Sequence, residues 1–180
     1  MALKPTIYKA QIALADSDRN RFESLSLTLA KHPSETEERL LVRLLAYCLN
    51  YTRNLEFTKG ISTADEPDVW LHSDHGDIEH WIEVGQPEEA RLRKACGRAR
   101  QVSVYTFAKS AATWWTLNGD AISALPRLQV WQFDWAEVQA AAALLERTVK
   151  LNASIVGGVI YLDNGSTSTT LEPQSLCRND

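Results

Sequence analysis

The order of strand, helix and strand over residues 79–107 limits the fold more than any other feature of the chain. Residues 79–84 form a largely apolar run, and Gly85-Gln86-Pro87 breaks it. A helix then begins with Glu88 and Glu89 at its positive end and runs to about Ala99, and Val102, Val104, Tyr105 and Phe107 mark the next strand. Parallel neighbours cannot be joined by a tight turn, and a helix of this length is the crossover that they need. The chain is therefore expected to be an α/β fold built on a mixed, α+β-like sheet.

The flanks add strands at both ends. Residues 6–14 alternate Tyr8, Ala10, Ile12 and Leu14 with Ile7, Lys9 and Gln11, and residues 21–29 form a second strand candidate. The Asp- and Asn-rich residues 15–20 between them read as a turn, which predicts an N-terminal antiparallel hairpin. Ser34, with Glu37 three residues later, has the spacing of a capping box, and Leu40, Leu41, Leu44, Leu45 and Cys48 extend one apolar stripe to about Asn50. Short strands at 55–59 and 67–71 follow, set off by Gly60 and by the polar residues 73–77, and with 79–84 they make a meander. The last third reads as a helix at 108–117, a strand at 128–133 and an Ala-rich helix at 134–147. A C-terminal hairpin of residues 149–156 and 159–162 turns at Gly157-Gly158. Residues 164–170 read as a polar loop and 173–180 as a disordered tail.

A chain of 180 residues with 44% hydrophobic and 23% charged residues is expected to be one domain, 1–180. Its net charge of -4 would repel a polyanion as a whole, so a nucleic-acid partner requires a local basic patch. Cys48, Cys96 and Cys177 are odd in number and lack CxxC spacing, which indicates neither a disulfide framework nor a zinc site. The N-terminal residues carry no apolar signal region and no membrane-length apolar run occurs, so the expectation is a cytoplasmic protein without a membrane partner.

The stretches HPSETEER (32–39), EPDVWL (66–71), WIEVG (81–85) and RKAC (93–96), with MALKPTIYKA at the start and GGVIYL near the end, resemble the YaeQ family over essentially the whole chain. The resemblance implies a divergent PD-(D/E)xK, restriction-endonuclease-like core flanked by the two hairpins. The superfamily's chemistry is divalent-metal-dependent phosphodiester cleavage, with magnesium or manganese on carboxylates and a lysine near the attacking water. Its motif implies Asp68, after Pro67, and Glu83 as catalytic metal ligands. In the lysine slot two residues after Glu83 this chain has Gly85, which has no side chain to orient water. A base supplied from the next helix would be Lys94, favoured by its chemistry, or Arg91. On a wheel Arg91 lies about 90° and Lys94 about 150° from the centre of the buried stripe of Leu92, Ala95, Cys96 and Ala99. The family pattern also keeps Glu38, an outer acid on the rim of the first helix, with Ser34 one turn away. Gln86, three residues after Glu83, is a further polar candidate. Arg91, Ser34 and Gln86 would face nucleic acid.

Other readings compete residue by residue. The capping box explains Ser34 and Glu37, and Asp68 after a proline is also what a strand start looks like. Glu83 lies inside an apolar strand, where a carboxylate needs a partner or a metal. The basic set Arg91, Arg93, Lys94, Arg98 and Arg100 reads either as a solvated helix face or as a phosphate-facing patch. His72, His75 and His80 with Asp74 and Asp77 read as a polar loop in preference to a metal site, and Trp114, Trp115, Trp131 and Trp135 mostly as core, an exposed one among them being able to stack on a base. Two functions follow: a metal-dependent nuclease with Glu38, Asp68, Glu83 and Lys94 as its catalytic set, or an inactive nuclease-like domain that binds nucleic acid or a protein partner. No motif indicates an organic cofactor.

Overall fold

The structure is a computed structural model describing residues 3–59 and 64–180. Among the described residues it is a mixed α/β fold with four helices and two mixed sheets, and it divides into two compact units, each built from two stretches of chain. Gly60, read above as a strand breaker, lies outside the described residues. No helix among the described residues is long and apolar enough to cross a membrane.

The first unit, Met1–Leu49 with Asp134–Pro173, carries a five-stranded sheet. The alternation in the N-terminal sequence becomes β1 (Thr6–Asp16), antiparallel to β2 (Arg21–Lys31), with Tyr8, Ala10, Ile12 and Leu14 all buried. β8 (Thr148–Val156) lies parallel to β1 on its other side, from Lys9 opposite Thr148 to Asp16 opposite Ile155. β9 (Val159–Asp163) and β10 (Ser168–Leu171) complete the order β10-β9-β8-β1-β2. The predicted Gly157-Gly158 turn is present with φ of 59° and 77°, a conformation glycine adopts freely. The Asp18 carboxylate in the first hairpin's turn accepts the amides of Gly157 at 2.7 Å and Gly158 at 2.8 Å, so one hairpin turn holds the other. Residues 168–170, expected as loop, belong to strand β10 because they pair with β9.

Helix α1 (Glu37–Leu49) and the shorter α4 (Trp135–Ala142) pack together in this unit. Every residue of α1 from Leu40 to Cys48 is buried, including Arg43, which is 2% exposed. A buried guanidinium needs a partner, and Glu35, itself 5% exposed, accepts Arg43 Nε at 2.7 Å and Nη2 at 2.9 Å, and Arg39 Nη1 at 2.9 Å. The helix start is also not the capping box that the spacing predicts. The Thr36 hydroxyl accepts the Arg39 amide at 3.2 Å as the cap, Ser34 instead meets His32 Nδ1 at 2.7 Å, and Glu37 reaches the Tyr8 hydroxyl. Ser34 is displaced from the cap because Glu35 must turn inward to meet Arg43.

The second unit, Asn50–Phe133 with Gln174–Asp180, carries the sheet order β11-β7-β6-β5-β4-β3. β3 (Glu56–Phe57), β4 (Val69–His72) and β5 (Ile78–Val84) form the antiparallel meander. Helix α2 (Glu89–Arg98) crosses to β6 (Ala99–Thr106), parallel to β5 as expected, and α3 (Ala111–Ser123) crosses to β7 (Leu128–Gln132), parallel to β6. The predicted disordered tail is β11 (Gln174–Arg178), antiparallel to β7, with Cys177 in the core beside Val130 and Leu128. Its pattern is too short and polar to register as a strand, and pairing to β7 creates it. The three cysteines are free and buried, and burial pushes the Cys48 thiol up to about 12.

Because the Glu35–Arg43 pair is buried on both sides, removing one partner leaves an unpaired charge in the interior. Arg43→Ala is expected to cost about 3–5 kcal/mol in urea unfolding, whereas the paired replacement Glu35→Leu with Arg43→Met should cost far less. Equal losses in the two proteins would show that the charge pairing is not what matters.

Candidate functional site

β5 presents Trp81 and Glu83 on one face of the sheet and His80, Ile82 and Val84 on the other, as strand alternation requires. The Trp81 face lies under α2, whose Leu92, Ala95 and Cys96 pack into the same cluster as Trp81, Val102 and Val104. Glu83 is thus an acid on an apolar surface, 5% exposed, and three donors converge on a single oxygen of it. Trp81 Nε1 donates to Glu83 Oε1 at 2.8 Å, and Arg91 approaches the same atom with both Nε and Nη2 at 2.8 Å. The guanidinium also donates to the carbonyls of Ala64 and, at 2.8 Å, Glu66, so Arg91 clamps the 64–66 segment to β5. The Trp81 ring lies beneath two cations, with Arg91 at 5.9 Å and Arg98 at 5.2 Å from its centre.

Pro67-Asp68 stands just before β4, where the ladder to β5 ends. The Asp68 amide donates to the Ile82 carbonyl at 3.0 Å, and Asp68 Oδ2 accepts the Val84 amide at 2.8 Å. Thr58 closes the other side, its amide donating to the Asp68 carbonyl at 3.1 Å and its hydroxyl to the Pro67 carbonyl. The carboxylate thus takes the place of a missing strand partner. Burial pushes the Glu83 carboxyl above its usual range, the Arg91 charge opposes this, and the Asp68 charge adds to it.

The structure brings Asp68, Glu83 and Arg91 together. Lys94 is exposed and makes no hydrogen bond or ion pair among the described residues. It lines a hollow of about 410 Å³ with Arg91, Arg98, Trp81, Asp65 and Glu88. Gln86 donates to the Ser110 hydroxyl at 2.7 Å. Ser34 and Glu38 belong to the first unit, Glu38 half-buried in the first turn of α1. Among the described residues no group of three or more His, Cys, Asp or Glu side chains is arranged to hold a metal ion.

Gly85 has φ of 116°, a value that L residues rarely adopt, and its amide donates to the Tyr105 carbonyl at 2.9 Å. Position 85 is thus a backbone position shaped for glycine. Sequence reasoning missed the roles of Trp81 and Arg98; the readable signal was Trp-x-Glu, two residues on one face of a strand. On the opposite face, His80 Nε2 lies 2.7 Å from the buried Ser103 hydroxyl, and burial lowers the imidazole to about 4, so this histidine is a neutral packing group at pH 7.

Residues 1–173 match the family model described as YaeQ protein. The uncharacterized protein YaeQ of Escherichia coli K12 is 45% identical over 165 residues, covering 91% of each chain, and that of Salmonella typhi 41% identical over 173 residues, covering 96% of each. The crystal structure of YaeQ protein from Xanthomonas axonopodis pv. citri is similar at a TM-score of 0.93 and 38% identity, covering 97% of this chain and 99% of the other. That from Pseudomonas syringae is similar at 0.91 and 34%, covering 96% of each. Whole-length matches in sequence and in structure lead to one statement of kinship: the chain belongs to the YaeQ family.

Proposed function

We propose that the second unit is a nuclease-like core in which an internal ion pair has replaced the metal centre, and that it binds nucleic acid through the exposed basic side of α2 without cleaving it. The observation that carries this reading is the convergence of three donors on Glu83 Oε1. Support for a nuclease-like core comes from the order of the antiparallel pair β4–β5, the helix α2 and the parallel strand β6, with Asp68 and Glu83 at the corresponding ends.

Magnesium or manganese does not suit this donor set. An ion on Oε1 would face the Trp81 N–H and the Arg91 guanidinium, which already supply positive charge there, and Asp68 Oδ2 is engaged by the Val84 amide. Gly85 offers no lysine, and Lys94 lies on the outer side of α2.

Arg91, Lys94 and Arg98 recur at helical spacing along one side of the hollow, and Arg98 is oriented by the Asp65 carbonyl and the Trp81 ring. With Arg91 committed to Glu83, Lys94 and Arg98 supply the local patch that a net charge of -4 would otherwise deny a polyanion. Trp81 is too deeply buried to stack on a base, so recognition would run through phosphates.

Two measurements test the proposal. Supercoiled plasmid incubated with the purified protein and manganese should show no nicking beyond that of Glu83→Ala, while a labelled oligonucleotide should bind with an affinity that falls as salt rises. Lys94→Glu and Arg98→Glu should each weaken binding and reduce the salt slope by about one. Nicking that Glu83→Ala abolishes would restore the metal-dependent reading, and salt-independent binding would remove the nucleic-acid one.

A raised folded-state pKa also gives Glu83 a pH signature. The native chain binds more protons than the unfolded one between the ordinary carboxylate pKa and the raised value, so the carboxyl's contribution to stability is lost as pH rises through that raised pKa. Glu83→Gln, which cannot ionise, should therefore gain in melting temperature relative to the parent as pH rises across that window. A difference that is flat with pH would show that Arg91 fully compensates the burial.

A further inference from the structure

Strand β2 is the edge of the first unit's sheet, and among the described residues its outward side has no strand partner. The Lys9 amide donates to the Arg147 carbonyl at 2.7 Å and the Ser17 amide to Ile155, so the odd-numbered residues of β1 turn their backbone groups toward β8. The even-numbered ones therefore turn toward β2, where Tyr8 opposes Leu29, Ala10 opposes Leu27 and Ile12 opposes Leu25. It follows that Phe22, Ser24, Ser26, Thr28 and Ala30 direct their amides and carbonyls outward. Among the described residues the contacts to this side lie at its far end: the Ala30 carbonyl accepts Arg43 Nη2 at 2.9 Å, and the His32 amide donates to Glu35 Oε2 at 3.3 Å.

Edges of this length are normally blunted by a proline, a bulge or an inward charge. From Ser24 to Ala30 this one has none, and its pairing to β1 runs in unbroken register. The inward face carries Leu25 and Leu29, both buried, with Leu27 half-buried between them and Glu23 and Lys31 at the two ends.

We propose that β2 is a self-pairing edge, joining a second copy of this chain antiparallel about a two-fold axis through Leu27. Charge selects this register. With Leu27 on the axis, Glu23 stands opposite Lys31 of the second copy, twice by symmetry, Leu25 stands opposite Leu29, and Leu27 opposite itself. Ser26 with Thr28, and Ser24 with Ala30, then become the hydrogen-bonded pairs, and the Ala30 carbonyl has a second lone pair for the purpose. Moving the axis to Ser26 sets Arg21 against Lys31, and moving it to Leu25 sets Glu23 against Leu27. The chosen register alone matches opposite charges and keeps the leucine row continuous, turning two five-stranded sheets into one across the axis.

The test uses sedimentation equilibrium on the full chain. The parent should show a concentration-dependent dimer, Glu23→Lys and Lys31→Glu should each weaken it about tenfold by placing like charges together twice, and the double variant should regain the parent's constant. In a non-hydrogen-bonded antiparallel pair the opposed Cα atoms lie about 4.5 Å apart, within disulfide reach. Leu27→Cys should therefore cross-link under mild oxidation, while Thr28→Cys, which does not meet itself, should not. A protein that stays monomeric at about 1 mM, a dimer indifferent to both charge reversals, or equal cross-linking at positions 27 and 28 would overturn the proposal.

Discussion

The parallel seam between β1 and β8 is the interaction on which the first unit depends, because it joins stretches of chain that are far apart in sequence. Neither hairpin could bury Ile12, Leu14, Leu151 and Ala153 alone; side by side they make one buried face, with α1 packed beside β2 and α4 beside β10. The seam is reinforced at one end by Asp18, whose carboxylate holds the Gly157 and Gly158 amides and is kept below its usual pKa by them. The second unit is closed in the same manner, since β11 returns from the end of the chain to pair with β7. A fold with so many distant pairings must meet loop-closure costs before burial rewards them, and slow folding is the natural consequence.

Within the second unit the governing fact is an acid placed on the apolar side of a sheet. Glu83 cannot stay there alone, and a carboxylate in that setting can be satisfied by a metal ion or by organic cations and N–H groups. Arg91 and Trp81 take the second course, and the guanidinium's remaining donors tie down the 64–66 segment at the same time. Asp68, one strand away, serves the backbone by holding the Val84 amide. Asp68 and Glu83 are thus both used within the fold, one as a strand end and the other in an ion pair.

Much of this architecture was legible in the sequence. Period-two alternation gave the N-terminal hairpin, Gly157-Gly158 gave the C-terminal turn, and the spacing of residues 79–107 gave the parallel crossover, because each is a local pattern with a local cause. What stayed hidden depends on distant partners. β11 exists only through β7, and β10 only through β9. The start of α1 was misread because Ser34 and Glu37 have the right spacing, while the decisive residue, Glu35, is drawn inward by Arg43 eight positions away. An arginine inside a run of leucines was the available signal. At the site, a carboxylate in an apolar strand correctly announced that Glu83 needs a partner, and the wheel placed Arg91 nearer to it than Lys94. It could not reveal that a single oxygen would take three donors, which depends on the tryptophan two residues before it.

The conformation of Gly85 bears on how this protein can change over time. Any side chain introduced at this position would sit on a backbone with φ of 116° that L residues avoid. Accepting one requires the strand end from Val84 to Gln86 to be re-laid first, and the amide of Gly85 to give up its bond to Tyr105. A lineage that carries this glycine turn therefore changes position 85 only through several coordinated substitutions.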